Sequence, residues 1–374
     1  MPELRKLFPA YVTPPPYVSR KTMNSHPLFV PFVAISLGLA HSAKAAEYPT
    51  FTDPKKAGAD FQVQGEYVGK VGGKLPIGIQ VMAQGKRKFI GVIYTGGLPG
   101  AGWDESTAFH VRGKTQQGKT IFEGVHGERL LFSNPNFSGW IEKGVFRGTA
   151  RMYGTRVPNT KFHLKRVLRK SPTLGAKPPK GALVLFDGSN VKEWQGGKLV
   201  ADKLLDVGTT SKRKFGSVRI HMEFICPFMS TARGMHRGNS GVYVKSEWEI
   251  QIVDSFGWHH ENRKFERLSK FARCGGIHEM IAPRINMSYP PLSWQTYDIV
   301  FIAAKLDSTG KRLAPATMTV RQNGVLIHNQ YVLPPVPPGR KLSTSKDGQP
   351  GPIFLQRHGN PVRFRNIWVV EGKK

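Results

Sequence analysis

The sequence predicts an all-β protein in two modules, on three observations. Its 41 Gly and 28 Pro are spread between short apolar runs over 374 residues, so turns are frequent. The runs alternate apolar and polar residues with period two, the spacing at which strand side chains change faces. Asn323-Gly324 joins two such runs, and Asn-Gly is the strongest short hairpin signal because the turn needs positive φ.

Composition bounds the function classes. With 39% hydrophobic and 10% aromatic residues the chain can bury real cores. No run reaches the ~18 apolar residues of a membrane span. The formal net charge of +30 draws polyanions: nucleic acid, anionic envelope polymers or acidic polysaccharide. Lys and Arg are scattered through both halves, with no basic helix, zinc finger or aromatic RNA-binding signature, which disfavours nucleic acid. Cys226 and Cys274 allow at most one internal disulfide and are too far apart in sequence for a CxxC metal knuckle.

Residues 1–45 read as a targeting segment. An apolar run at 28–40 precedes Ala43-Lys44-Ala45, the small-x-small pattern of a signal-peptidase site. Export to a periplasmic or extracellular space is expected, with cleavage near Ala45. The upstream charges Arg5, Lys6, Arg20 and Lys21 lie across a Pro-rich stretch, and Met23 is an alternative start to Met1.

Residues 47–170 read as a small antiparallel β module, a sheet or barrel. Strands are expected at 61–68, 77–82, 88–94, 120–125, 129–132, 145–152 and 161–167, with Trp103, Asp104 and Trp140 in loops. No catalytic constellation is present, so the module is accessory. The run RKSPTLGAKPPKG closes it, and 171–181 is expected to be an extended, solvated linker.

Residues 182–374 form the second module. Its opening, LVLFDGSNVKEW, is a strand, a turn and a tryptophan. Further strands are expected at 198–206, 216–226, 296–304, 316–322, 325–332, 351–358 and 362–370, with one basic helical insertion at 262–271. Regular spacing in a module of this size points to a two-sheet jelly-roll sandwich. Its centre is RGNSGVYVKSEWEIQIVDSFG at 237–257, two strands around a turn at Lys245-Ser246-Glu247. That turn sets Tyr243 opposite Glu249, Gly241 opposite Gln251 and Asn239 opposite Val253. Val242, Val244, Trp248, Ile250 and Ile252 then share the core face. The other face shows a carboxylate, an amide and a phenol around a glycine, which leaves room for a ligand.

The motifs LFDGSNVKEW, FGSVRIHMEF, RGNSGVYV, WEIQIVDSFG, CGGIHEMIAP, PPLSWQTYDIVF, RQNGVLIHN and GPIFLQRHGNPVRFRNIWV occur in this order through the second module. Together they resemble the 3-keto-disaccharide hydrolase domain family, also described as 3-keto-glucoside 1,2-lyase and 3-keto-2-hydroxyglucal hydratase. The resemblance implies a concanavalin-A-like sandwich with a ligand groove on one sheet. It also implies cleavage of 3-keto-glycosides by elimination across C1–C2 followed by hydration. Arg237, Asn239, Glu249, Gln251, Asp254, Gln356, His358 and Asn360 fit the family's polar motifs. Strand alternation puts Asp254 on the face opposite Glu249 and Gln251, so a place on the rim or a structural role is expected for it. Three departures stand out. The insertion WHHENRKFERLSKFAR follows Gly257, carrying His259, His260 and Glu261; Ser288 stands where the resemblance implies a cysteine partner for Cys274; and Arg357 stands where an acidic residue is frequent.

The chemistry implied needs a base for the proton at C2, a polariser for the C3 ketone and an acid for the leaving oxygen. Glu249 and His358 are the candidate catalytic residues. Arg237, Asn239, Tyr243, Gln251, Asp254, Gln356 and Asn360 are the candidate substrate-binding residues. No resident metal site is assigned, although a divalent cation held by Glu249 and His358 would be a second way to polarise the ketone. His278-Glu279 fails the HExxH pattern because position 282 is Ala282. Gln251 stands where a retaining glycosidase would need a second carboxylate. The expected partner is a glycoside or glycan. The alternative function is a non-catalytic carbohydrate-binding or envelope-associated module.

Overall fold

The computed structural model describes residues 48–105, 108–124, 137–150, 160–258, 269–335 and 348–372. The targeting segment, the strand expected at 129–132, the pair His259-His260 and most of the 262–271 insertion lie outside these residues. Lys270–Ala272, at the end of that insertion, is a single 3-10 turn.

A short helix, α1 (Gly58–Val63), enters the first module, followed by β1 (Gly65–Val71), β2 (Leu75–Ala83), β3 (Lys88–Thr95), β4 (Ala108–Gln116), β5 (Lys119–Gly124), β6 (Ser138–Glu142), β7 (Val145–Ala150) and β8 (Thr160–Val167). Each strand pairs with the next, and β1 closes on β8, giving an eight-stranded up-and-down barrel. Closure removes the sheet edges that an open meander would expose. The interior is rich in phenylalanine: Phe122 lies 4.9 Å from Phe146, and Phe137 stacks on Phe162 at 5.2 Å. Where a strand was expected from residue 61, the chain makes α1, and Phe61 packs edge-on against Phe228 at 5.3 Å.

The second module holds β9 (Leu183–Phe186), β10 (Trp194–Gln195), β11 (Leu199–Val200), β12 (Leu204–Leu205), β13 (Thr209–Phe215), β14 (Val218–Ile225), β15 (Ser240–Val244), β16 (Trp248–Ile252), β17 (Gln295–Ile302), β18 (Lys305–Leu306), β19 (Arg312–Ala314), β20 (Ala316–Gln322), β21 (Val325–Leu333), β22 (Gly351–Leu355) and β23 (Arg363–Glu371). One sheet runs β10-β13-β22-β15-β16; the other runs β11-β12-β23-β14-β17-β20-β21, with β9 beside β23. The two sheets enclose one core, so the second module is the expected all-β sandwich. β15 and β16 pair in the anticipated register, Tyr243 against Glu249 and Gly241 against Gln251.

The sandwich core continues onto the outer wall of the barrel through Met82, Ile90, Val92, Tyr94, Leu98 and Ala108. Charged groups are buried along this seam. Arg169 holds Glu66 with Nε at 2.7 Å and Nη2 at 2.5 Å, and Glu66 is fully buried. The segment expected to be a solvated linker is docked at its start. Thr173 Oγ1 donates to Asp298 Oδ2 at 2.8 Å, Gly175 N to Glu223 Oε1 at 2.5 Å, and Trp368 Nε1 to Ala176 O at 3.1 Å. Its Ser, Thr and backbone groups satisfy buried polar atoms of the second sheet, and only 177–181 runs exposed. Cys226 and Cys274 are buried free thiols. Among the described residues no helix is long and apolar enough to cross a membrane.

Candidate functional site

The site grows from the β15–β16 hairpin. Positive φ at Lys245 and Ser246 makes the tight turn, and Val242, Val244, Trp248, Ile250 and Ile252 enter the core. Pleating therefore turns Tyr243, Glu249 and Gln251 to the opposite face. Strand β22 pairs beside β15, and Gln356 N donates to Gly241 O at 2.9 Å just past the strand end. This brings Gln356 next to Tyr243.

A short polar chain results. The Tyr243 hydroxyl donates to Glu249 Oε2 at 2.7 Å, and Gln356 Nε2 donates to the Tyr243 oxygen at 3.1 Å. Glu249 is only 8% exposed, and no cation is paired with it among the described residues. Burial raises its carboxyl to about 7; the Tyr243 hydrogen bond offsets part of the shift and the charge of Glu279 adds to it. Burial, with Glu249 beside it, pushes the Tyr243 phenol well above its ordinary value, so it stays protonated. Gly241 is required by this carboxylate rather than by a ligand. A Cβ at 241 would overlap Glu249 Oε1, so the space above the glycine is already filled by its diagonal neighbour.

Gln251 and Asn239 form a second pair. Gln251 Nε2 donates to Asn239 Oδ1 at 3.1 Å, and Asn360 Oδ1 accepts from Asn239 N at 2.7 Å. Gln251 Oε1 and Gln356 Oε1 are buried acceptors that meet no donor among the described residues. The free edge of β16 is covered by residues 275–278. Gly275 N donates to Gln251 O, Gln251 N to Gly276 O and His278 N to Glu249 O. That added edge carries Glu279, at φ 58, into electrostatic reach of Glu249. Sequence reasoning considered Glu279 only as part of a failed metal motif. The signal for its true place was CGGIHEM itself, whose glycines let the backbone run flush against an edge strand.

Three candidates sit elsewhere. Arg237, 1% exposed, donates through Nε to Asp254 Oδ2 at 2.6 Å and through Nη1 to Ala83 O of the barrel at 3.3 Å. Asp254 is equally buried and accepts a bond from Phe256 N at its other oxygen. Both side chains are buried and bonded to each other in the seam, so the structure places Arg237 and Asp254, both candidate substrate-binding residues, away from the Tyr243–Glu249 face. His358 lies in a bend beyond β22, exposed, and no bond links it to Glu249 among the described residues. Partial burial lowers its pKa, leaving it neutral near pH 7. The alternation that placed it on the strand runs out because β22 ends at Leu355.

Two hollows lie away from this face: one on the barrel wall, another of about 610 Å³ bordered by Asp187, Trp294, Arg363 and Arg365. Among the described residues no group of three or more His, Cys, Asp or Glu side chains is placed to hold a metal ion.

Fold and site together define a two-sheet sandwich protein with a buried carboxyl bonded to a phenol on one sheet. The family model for the 3-keto-alpha-glucoside-1,2-lyase-like domain matches residues 181–370, and the chain belongs to that family of carbohydrate-active domains. No curated protein matches the chain. Among solved structures, a provisionally named glycosyl hydrolase from Parabacteroides distasonis ATCC 8503 shares 29% identity over 52% of this chain and 85% of its own, with a TM-score of 0.45. A second, so named and from the same organism, shares 16% identity over 55% of this chain and 99% of its own, with a TM-score of 0.36.

Proposed function

We propose that the sandwich cleaves 3-keto-glycosides by elimination and hydration, with Glu249 as the general base. The observation that carries this reading is a buried carboxyl raised to about 7 with a phenol, not a cation, as its partner. A base works best with a pKa near the operating pH. Glu249 takes the proton from C2, and the C3 ketone accepts the electron pair as an enolate. The pair then returns to expel the C1 oxygen, which leaves as an alcohol after protonation. Water adds across C1=C2, hydroxyl to C1 and proton to C2, completing a net hydrolysis. Tyr243, kept neutral and already hydrogen-bonded to Glu249, is the proton carrier between base and leaving oxygen. Gln356 orients Tyr243, and its free Oε1 suits a sugar hydroxyl. Asn239, Gln251 and Asn360 support the floor of the site. His358 is the second candidate base, at the rim. The N-terminal run at 28–40 and Ala43-Lys44-Ala45 support an exported protein.

The test is turnover of a 3-keto-glucoside by wild type and by Glu249→Gln, following release of the aglycone. Turnover lost in the variant supports the reading. An inactive wild type that still retains glycan would point to the non-catalytic binding module instead.

A further inference from the structure

The barrel carries a surface that its packing against the sandwich does not use. Cross-strand register sets Trp140 opposite Arg147, Arg147 opposite His163, and His163 opposite Lys70, one residue from each of β6, β7, β8 and β1. All four point out of the barrel, because Ile141, Phe146, Phe162 and Leu164 between them point in. Lys161 and Lys165 flank His163 on the same face of β8. The wall here is dished, forming a hollow of about 790 Å³ lined by Trp140, Arg147, Lys161, His163, Lys165 and Lys70 among others. Gly148 lies on the inner side of this wall, where a Cβ would strike Ser138 O and the Phe162 ring. A glycine there lets neighbouring strands close in and the outer surface sink.

We propose that this dish is a docking surface for an acidic polysaccharide. Arg147 and Lys70 stand across from His163 and diagonal to Lys161 and Lys165, and like charges clustered this way are stabilised by an anion that bridges them. No described carboxylate pairs with Lys70, Arg147, Lys161 or Lys165. Glu142 at the margin is engaged by Lys119 at 3.9 Å, and Glu123 stands across Ser138 at the far edge of β5. Trp140 is 37% exposed at one end of the row, with exposed Ile121 opposite it on β5. That end offers a flat apolar platform for a sugar ring, and the cations beyond it suit carboxylate or sulfate groups along the polymer. A single aromatic argues against single-stranded nucleic acid, which stacks successive bases on successive rings. Fusion to a domain of a carbohydrate-active family points to the same polymer class. The inference goes beyond the proposed lyase chemistry: its readout is retention, which does not require turnover.

The experiment measures binding of the full chain to polygalacturonate, dextran sulfate, neutral dextran and a single-stranded oligodeoxynucleotide. The variants are Trp140→Ala, the double variant Arg147→Gln/Lys161→Gln, and a charge-matched control, Lys305→Gln/Lys311→Gln, on the sandwich. These are outward side chains, so an unchanged thermal midpoint verifies folding. The acidic polymers should bind and dextran should not. The dish double variant should weaken binding about tenfold and Trp140→Ala about fivefold, consistent with loss of charge and stacking contacts. The control should stay within about twofold, as expected for charges outside the contact. Equal weakening by dish and control variants would assign binding to diffuse charge and overturn the proposal. So would tighter binding to the oligonucleotide, or no binding to either acidic polymer.

Discussion

Two buried polar regions of this molecule contain the same kinds of atoms in different company. At the seam, Arg237 meets Asp254 and Arg169 meets Glu66, each carboxylate facing a guanidinium within 2.7 Å. On the hairpin face, Glu249 is buried against a phenol and its electrostatic neighbour Glu279 is another acid. At the seam a guanidinium offsets part of the burial penalty on Asp254, and Arg237 also reaches across to Ala83 O of the barrel. The lack of such a cation leaves Glu249 near the point where it both gives and takes a proton at neutral pH. Burial alone therefore does not separate structure from chemistry; the sign of the neighbour does.

The comparison breaks most easily at Glu249. Glu249→Gln should reduce turnover of a 3-keto-glucoside by about 10²–10⁴-fold, measured as aglycone release. The same substitution should stabilise the protein above pH 7. A carboxyl whose folded pKa lies above its unfolded value contributes stability below the unfolded value and loses it as pH rises through about 7. Denaturant midpoints of wild type and variant should thus converge below pH 4.5, the carboxyl's ordinary value, and separate above neutrality. Arg237→Ala should do the reverse, costing about 3–5 kcal/mol by leaving Asp254 buried without its cation, with the loss read from the denaturant midpoint. The pH–rate profile sharpens the contrast: activity should rise through about 7, and Tyr243→Phe should move that limb to higher pH by removing the bond that lowers the Glu249 pKa. Gly241→Ala should have the smallest effect on stability, since the far end of Glu249 can swing aside, yet reduce turnover because the carboxylate is displaced.

The hairpin was legible because Val242, Val244, Trp248, Ile250 and Ile252 alternate strictly with polar residues and the turn length admits one register. β13 was not, since its inward positions include Thr209 and Ser211, which bury polar rather than apolar side chains. β4 and β6 escaped for a related reason: Gly113 and Gly139 occupy inward positions and erase the alternation. α1 was misread because Phe61 and Val63 sit two apart, a spacing that a six-residue helix also permits. The Glu249–Tyr243–Gln356 cluster followed from face arithmetic, whereas His358 was projected past a strand that Gly359, at φ 77, and Pro361 bring to an end. Arg237 bonds Ala83 and Gln64, more than 150 positions away, and no local pattern announces such a meeting.

The half-docked connector has a practical consequence. Its exposed stretch at 177–181 is the only part of 171–181 that a protease finds wholly in solvent, while 171–176 lies against the second sheet. A single nick there would cut the polypeptide without parting the halves. The shared apolar contact, the Thr173–Asp298 bond and the reach of Arg237 to Ala83 O would carry both fragments through a sizing column as one body.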